Sequence, residues 1–143
     1  MDRATGRYTI STSKPDWKFT GKLAAAPAGV KARHGEDKLG HYHAIQFTWN
    51  DNGPRTGWIR IYDGRPIVVF LVRFDRGLNR TPGAFPVLTE LPKELLEFRF
   101  GEKAFMEPEV FHLHMPADEQ YAGPFVLFDN QANTMILSPA NDF

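Results

Sequence analysis

Residues 58–74 form the longest apolar stretch of the chain and carry the pattern of a β-hairpin. In the first arm, Ile59 and Ile61 alternate with aromatic and charged residues, which is the period of a strand with one buried face. Asp-Gly-Arg-Pro at 63–66 supplies the turn, and residues 67–72 are apolar without a break. A strand that is apolar on both sides is typical of a position covered on both faces, so we expect the second arm to lie at the centre of a sheet.

A further strand pattern precedes this hairpin. In residues 41–49, every second side chain from Ile45 onward is apolar, as in a strand with one buried face. The cluster Asn-Asp-Asn-Gly-Pro at 50–54 favours a turn after it. We therefore expect residues 41–49, 58–62 and 67–74 to form an antiparallel meander.

Short strand patterns continue along the rest of the chain. Residues 1–20 contain weak edge-strand patterns and, like the charged segment 29–40, are expected to be loop-like or weakly ordered. No segment carries a sustained helical repeat of apolar residues. Short strands separated by turns predict an all-β fold, an antiparallel β-sandwich in a single domain of residues 1–143. The remaining strands are predicted at 95–100, 105–115, 125–128 and 134–137.

The composition argues against several classes of function. Seventeen Lys and Arg balance seventeen Asp and Glu, so net charge provides no attraction to nucleic acid or to an anionic membrane. The absence of cysteine excludes disulfides, thiolate nucleophiles and cysteine-based zinc sites. No stretch approaches the roughly 18 apolar residues of a membrane span. We expect a cytoplasmic protein without nucleic-acid or membrane partners, if Met1 is the true start of the gene product.

Two His-x-His pairs are the candidate metal ligands. Residues two apart on a strand project from the same face, so each pair can offer two imidazoles to one ion. The spacing departs from the cupin motif, because the residues after the first pair, 44–47, lack the glutamate that the motif requires. Histidines at the surface are therefore favoured over a metal site. The histidines in question are His41, His43, His112 and His114.

Several aromatic residues are candidates for binding carbohydrate, because sugars stack their C–H faces on indole and phenol rings. Trp58 and Tyr62 flank Arg60 on the side of the strand opposite Ile59 and Ile61. They form either the second buried face of an inner strand or a surface platform, and the pattern leaves both readings open. The candidate carbohydrate-binding residues are Trp58, Tyr62, Arg60 and Trp17.

No catalytic constellation is recognised in the chain. The adjacent carboxylates at 36–37 and at 118–119 lie in polar surroundings, where solvated loop charges are favoured over an acid/base pair. Neither a Gly-x-Ser-x-Gly elbow nor a glycine-rich phosphate loop occurs. No catalytic residue and no cofactor are predicted.

Several stretches together resemble one family. They are RIYDGRPIVVF at 60–70, FPVLTELPKELLEF at 85–98 and GPFVLFDNQANTMILSPANDF at 123–143, with 39–49 as a weaker match. In this order they are similar to the N-terminal β-sandwich region of the α-galactosidase and raffinose synthase (melibiase-like) glycoside hydrolases. The matches are strand and turn patterns and include no catalytic signature.

The resemblance implies a galactose-mutarotase-like supersandwich domain that precedes a catalytic (β/α)8 barrel. The catalytic aspartates of the family lie on that barrel, so no catalytic residue transfers to this chain. The chain then looks like an N-terminal fragment or accessory domain, interrupted after the last strand, that acts in carbohydrate metabolism. Its partners would be carbohydrate and either a barrel in cis or another copy of the chain. The loop residues expected to face a catalytic domain are Asp75, Arg76, Asn79 and Arg80.

Two alternatives stay open beside this interpretation. The first is a stand-alone carbohydrate-binding module that uses the aromatic residues named above. The second is a cupin-like metal-binding protein that uses the paired histidines.

Overall fold

A computed structural model describes residues 1–51, 53–74, 85–99 and 125–138 of the chain. Over these residues the fold is all-β with antiparallel sheets and no helix, as the sequence predicts. The same residues contain no helix that is long and apolar enough to cross a membrane. The strands are β1 (Arg7–Ser11), β2 (Lys18–Lys22), β3 (Ala28–Asp37), β4 (Gly40–Asn50), β5 (Pro54–Tyr62), β6 (Val68–Phe74), β7 (Leu88–Glu90), β8 (Leu96–Arg99), β9 (Phe125–Phe128) and β10 (Thr134–Leu137).

The strands are arranged in three sheets. A four-stranded sheet has the order β3-β4-β5-β6, and two three-stranded sheets have the orders β1-β2-β7 and β10-β9-β8. The chain divides into two compact units, and the single domain over residues 1–143 stays a prediction. The first unit consists of Met1–Thr9 and Thr20–Leu88, and the second of Ile10–Phe19 and Thr89–Phe143.

The predicted meander is confirmed as β4, β5 and β6, which pair in antiparallel register. In the turn after β5, the N–H of Tyr62 donates to the carbonyl of Ile67, and Gly64 has a φ of 65°, which glycine adopts without steric cost. The prediction that the second arm lies at the centre of a sheet is wrong, because β6 is an edge strand of the described sheet. Residues 68–72 are half-buried on both faces, so their apolar character reflects partial cover on each side.

The prediction of a loop over 29–40 is also wrong. This segment contains most of β3, which pairs with β4 from Lys31 to Asp37, and the turn between the two strands. Most side chains of β3 are exposed, because the strand lies at the edge of the sheet. Charged side chains protect such an edge from pairing with other chains, and this same composition conceals the strand in the sequence. Within residues 1–20, strand β1 lies at the edge of its sheet, as predicted, whereas β2 lies between β1 and β7.

The core of the first unit is an aromatic cluster on one side of the four-stranded sheet, which we call the core face. Phe47 is completely buried, and Trp49 on the same strand is buried beside it. The ring of Phe85 packs against these two rings, with centroid separations of 5.8 Å to Phe47 and 5.6 Å to Trp49. The hydroxyl of buried Tyr8 donates to the carbonyl of Val87 at 2.9 Å, which satisfies its polar end. Burial of each large apolar side chain contributes roughly 2–3 kcal/mol.

In the second unit, the predicted hairpin over 125–137 is confirmed as β9 and β10. Its turn is organised by Asp129, whose carboxylate accepts the backbone N–H groups of Gln131 and Asn133 and the side-chain amide of Asn133. The Asn133 amide contributes most to holding the pKa of Asp129 below its usual range. Pairing of β8 with β9 confirms a strand in the 95–100 region, whereas the predicted strand at 105–115 lies outside the described residues.

Candidate functional site

The side of the four-stranded sheet opposite the core face concentrates aromatic and cationic side chains. Directly opposite residues of an antiparallel pair project from the same face of a sheet. The register therefore places Tyr42 beside Tyr62, and Gln46 beside Trp58. We call this surface the polar face. Its polar and aromatic members include Lys31, Arg33, Asp37, Tyr42, Gln46, Trp58, Arg60, Tyr62 and Arg73.

A hydrogen-bonded network crosses the polar face from β5 to β3. The Tyr62 hydroxyl donates to Asp37 Oδ2 at 2.7 Å, and Arg60 Nη1 donates to the same oxygen at 3.0 Å. The other carboxylate oxygen, Asp37 Oδ1, accepts the backbone N–H of Leu39 at 2.8 Å. Two side chains of β5 thus reach over β4 to one carboxylate, which fixes the position of the Arg60 guanidinium.

Tyr42 lies beneath this bridge. The Arg60 guanidinium carbon is 4.5 Å from the centroid of the Tyr42 ring, and the Tyr42 and Tyr62 rings are 5.6 Å apart. On the β3 side, the Tyr42 ring covers Gly35, where an added Cβ would stand 2.6 Å from the tyrosine hydroxyl. The absence of a side chain at 35 therefore allows the ring to lie flat against the sheet.

Trp58 and its neighbours form the adjacent part of the polar face. The Trp58 side chain is half-buried, and the guanidinium carbon of Arg73 is 5.6 Å from its ring centroid. Gln46, directly opposite Trp58, accepts a hydrogen bond from Arg33 Nε at 2.9 Å. An indole ring is thus surrounded by guanidinium and amide groups, which combine an apolar surface with hydrogen-bond donors.

The protonation states of Asp37 and Tyr62 in this network are fixed at neutral pH. The Tyr62 hydroxyl, followed by the Leu39 N–H and Arg60, holds the pKa of Asp37 below its usual range. Burial raises the pKa of Tyr62, and the hydrogen bond to Asp37 raises it further. Asp37 is therefore an ionised acceptor and Tyr62 a neutral donor, which suits a positioning role better than proton transfer.

The substitution Tyr62→Phe is expected to raise the pKa of Asp37, because it removes the largest of the groups that stabilise the carboxylate. An NMR titration that follows the Asp37 carboxyl carbon measures this change. The folded-state pKa lies below the unfolded value of about 3.9, so the contribution of Asp37 to stability is present above about pH 3.9 and is lost as the pH falls through the folded-state pKa.

Asp37→Asn is consequently expected to lower the stability at neutral pH, and the difference from the wild type should disappear in acid. Asp16→Asn is the control, because Asp16 is exposed and forms no hydrogen bond with the described residues. An Asp37 pKa that stays the same in Tyr62→Phe would contradict the assignment of the network.

Three of the four candidate carbohydrate-binding residues lie together on the polar face. They are Trp58, Arg60 and Tyr62, but Tyr62 is 4% exposed and its hydroxyl is bonded to Asp37. Trp17 belongs to the second unit, is also 4% exposed and packs edge-on against Phe19. This burial argues against Trp17 as a stacking surface. The carbohydrate-binding role of the other three residues stays a prediction.

The sequence does not indicate the residues that β3 contributes, because the composition of 29–40 predicts a loop. It predicts a solvated loop charge at Asp37 and a turn-rich segment around Gly35. A signal was present in the alternation from Lys31 to Asp37, where charged residues recur at every second position with Gly35 between them. Charged residues on both faces of this edge strand make that alternation hard to recognise in the sequence.

His41 and His43, the first of the two histidine pairs, lie at the exposed end of the core face. His43 Nε2 is 3.4 Å from Asp63 Oδ1, and His41 Nδ1 is 3.7 Å from Glu36 Oε2. Each histidine thus faces a different carboxylate. Among the described residues, no three His, Asp or Glu side chains converge in a way that would hold a metal ion. The other candidates lie outside the described residues: His112, His114, Asp75, Arg76, Asn79 and Arg80.

Comparisons with models of protein families, with curated proteins and with solved structures found no match to this chain.

Proposed function

We propose that this chain is a non-catalytic β-sandwich domain that binds carbohydrate through its polar face. The observation that carries the proposal is the half-buried Trp58 ring, whose centroid lies 5.6 Å from the guanidinium carbon of Arg73. The same sheet face adds polar groups from Arg60, Gln46 and Arg33. Carbohydrate recognition requires both an aromatic surface for the C–H face of the sugar and donors for its hydroxyl oxygens.

Preorganisation of the donors supports this role. Asp37 and Tyr42 hold the Arg60 side chain from two sides, by a hydrogen bond and by a cation–π contact. A donor that is already immobile loses less conformational entropy when a ligand binds. The pairing of strands on either side of Trp58 also places the ring on a rigid element of the fold.

The non-catalytic part of the proposal rests on the state of Asp37. It is the one carboxylate that the described residues place on the polar face, and its lowered pKa makes it a poor proton donor at neutral pH. The resemblance to melibiase-like glycoside hydrolases supports a galactose-mutarotase-like supersandwich that works with a catalytic (β/α)8 barrel. Catalytic carboxylates would then come from that partner.

Isothermal titration calorimetry against a panel of galactosides and other oligosaccharides tests the proposal. We expect measurable binding at millimolar ligand or tighter, and binding about fivefold weaker in Trp58→Ala, because one aromatic stacking contact is worth about 1 kcal/mol. Ile61→Ala is the matched control, since Ile61 lies on the opposite face of the same strand and is 52% exposed.

Circular dichroism and thermal melting establish that both variants are folded. The proposal fails if no oligosaccharide binds to the wild type, or if Trp58→Ala and Ile61→Ala bind equally well.

A further inference from the structure

We infer that the carbohydrate bound by the polar face is an anionic oligosaccharide, one that carries carboxylate or sulfate groups. The inference rests on the proposed function and adds the chemical class of the ligand. It follows from the separation of charge between the two faces of the four-stranded sheet.

The described residues place four cationic side chains and one carboxylate on the polar face. The carboxylate is Asp37, and the cations are Lys31, Arg33, Arg60 and Arg73. At the exposed end of the opposite face, the carboxylates Glu36 and Asp63 stand beside histidines. The zero net charge of the chain therefore conceals a face with an excess of positive charge.

The cationic groups of β3 are available to a ligand. Lys31 is exposed and forms no ion pair with the described residues. Arg33 is exposed, and its Nε donates to the neutral Gln46 amide, so its charge is not compensated. The terminal amino groups of Arg33 form no hydrogen bond with the described part of the chain.

Arg60 is only partly committed to Asp37. One of its nitrogens donates to the carboxylate, while its Nε is buried and has no hydrogen-bond partner among the described residues. The Arg60 side chain is 27% exposed. It is therefore oriented by Asp37 and Tyr42 while part of the side chain reaches the surface.

The spacing of these groups suits an extended chain. Arg33 and Arg60 flank Ala44 in one cross-strand row, while Lys31 and Trp58 flank Gln46 in the next row. Adjacent strands are about 4.8 Å apart, so the members of each row are separated by about 10 Å across the sheet. Guanidinium groups bind carboxylate and sulfate oxygens through paired hydrogen bonds, and the Trp58 ring in the neighbouring row accepts the sugar.

The test compares neutral and acidic oligosaccharides of matched length by calorimetry at low and at high salt, with single-stranded DNA as a third ligand. We expect at least one uronate-containing or sulfated oligosaccharide to bind about tenfold more tightly than its neutral counterpart, and the advantage to shrink as salt screens the charges. Lys31→Gln should weaken acidic binding several-fold and leave neutral binding unchanged, whereas Arg33→Gln should weaken acidic binding more than neutral binding. Arg3→Gln and Lys14→Gln are matched controls, since both residues are exposed and lie outside the polar face.

The outcomes separate this inference from the proposed function. Equal binding of neutral and acidic oligosaccharides would overturn the inference and leave the proposed function standing. No binding of any oligosaccharide would overturn both. Binding of single-stranded DNA alone would also overturn both, and would assign the polar face to nucleic acid.

Discussion

Asp51→Asn is expected to lower the free energy of unfolding by about 3 kcal/mol, because it removes a carboxylate that faces the buried charge of Arg55. The Arg55 side chain is 1% exposed, and its Nη2 lies 3.1 Å from Asp51 Oδ2. The same nitrogen donates to the Asp51 carbonyl at 2.8 Å, and the guanidinium lies near the rings of Trp49 and Phe74. A charge removed so completely from water depends on its counterion far more than an exposed one does.

Urea unfolding followed by tryptophan fluorescence measures this loss. Asp63→Asn is the matched control, because the carboxylate of Asp63 faces His43 at 3.4 Å with both side chains largely exposed. Such an exposed pair contributes at most about 1 kcal/mol, so the control should unfold close to the wild type. Equal losses in the two variants would contradict a special role for the buried pair.

The second large effect is expected at Gly21, where the substitution Gly21→Ala should cost about 3 kcal/mol by overpacking. An added Cβ at this buried position of β2 would collide with the ring of Tyr8 and with the carbonyl oxygen of Val87. That carbonyl accepts hydrogen bonds from the Tyr8 hydroxyl and from the backbone N–H of Lys22. Neither the Tyr8 ring nor the carbonyl can therefore move away without breaking a hydrogen bond.

Gly35→Ala provides the comparison for this prediction. At Gly35 the obstacle is the hydroxyl end of the Tyr42 side chain, which can swing away at a cost of about 1 kcal/mol. Thermal and urea unfolding of both variants should therefore rank Gly21→Ala well below Gly35→Ala in stability. The reverse order would show that the Tyr8 and Val87 contacts yield more easily than the geometry indicates.

The meander shows which part of the fold sequence patterns can predict. Alternation in β4 and β5, and the turn residues between them, are properties of a few neighbouring residues, and they identified the strands to within a few positions. The same is true of the β9–β10 hairpin. The prediction for β6 is wrong because apolar side chains indicate that the faces of a strand are buried. They do not indicate whether another strand forms hydrogen bonds with each of its edges.

The candidate site was predictable in part. The alternation of β5 indicated that Trp58, Arg60 and Tyr62 share a face, and the register confirms it. Whether that face was core or surface had no local signal. In the structure both readings apply, since Tyr62 is buried while Trp58 is half-buried beside charged groups.

The contribution of β3 is missed for a different reason. Its charged residues have the composition of a loop, which outweighs the alternation from Lys31 to Asp37, and the antiparallel pairing with β4 shows them to be strand residues. This pairing brings Asp37 within reach of Arg60 and Tyr62, which are more than twenty positions away in the chain. It also sorts the balanced charges of the sequence into a cationic face and an opposite end that carries carboxylates.

The sequence by itself determined the all-β class and the hairpins, because alternation and turn chemistry act between neighbouring residues. Only the tertiary structure decided that β6 is an edge strand among the described residues, and that the first arm presents Trp58 and Arg60 on a polar face shared with β3. The physical reason is register: which side chains meet across strands depends on hydrogen bonds between segments that are distant in the chain.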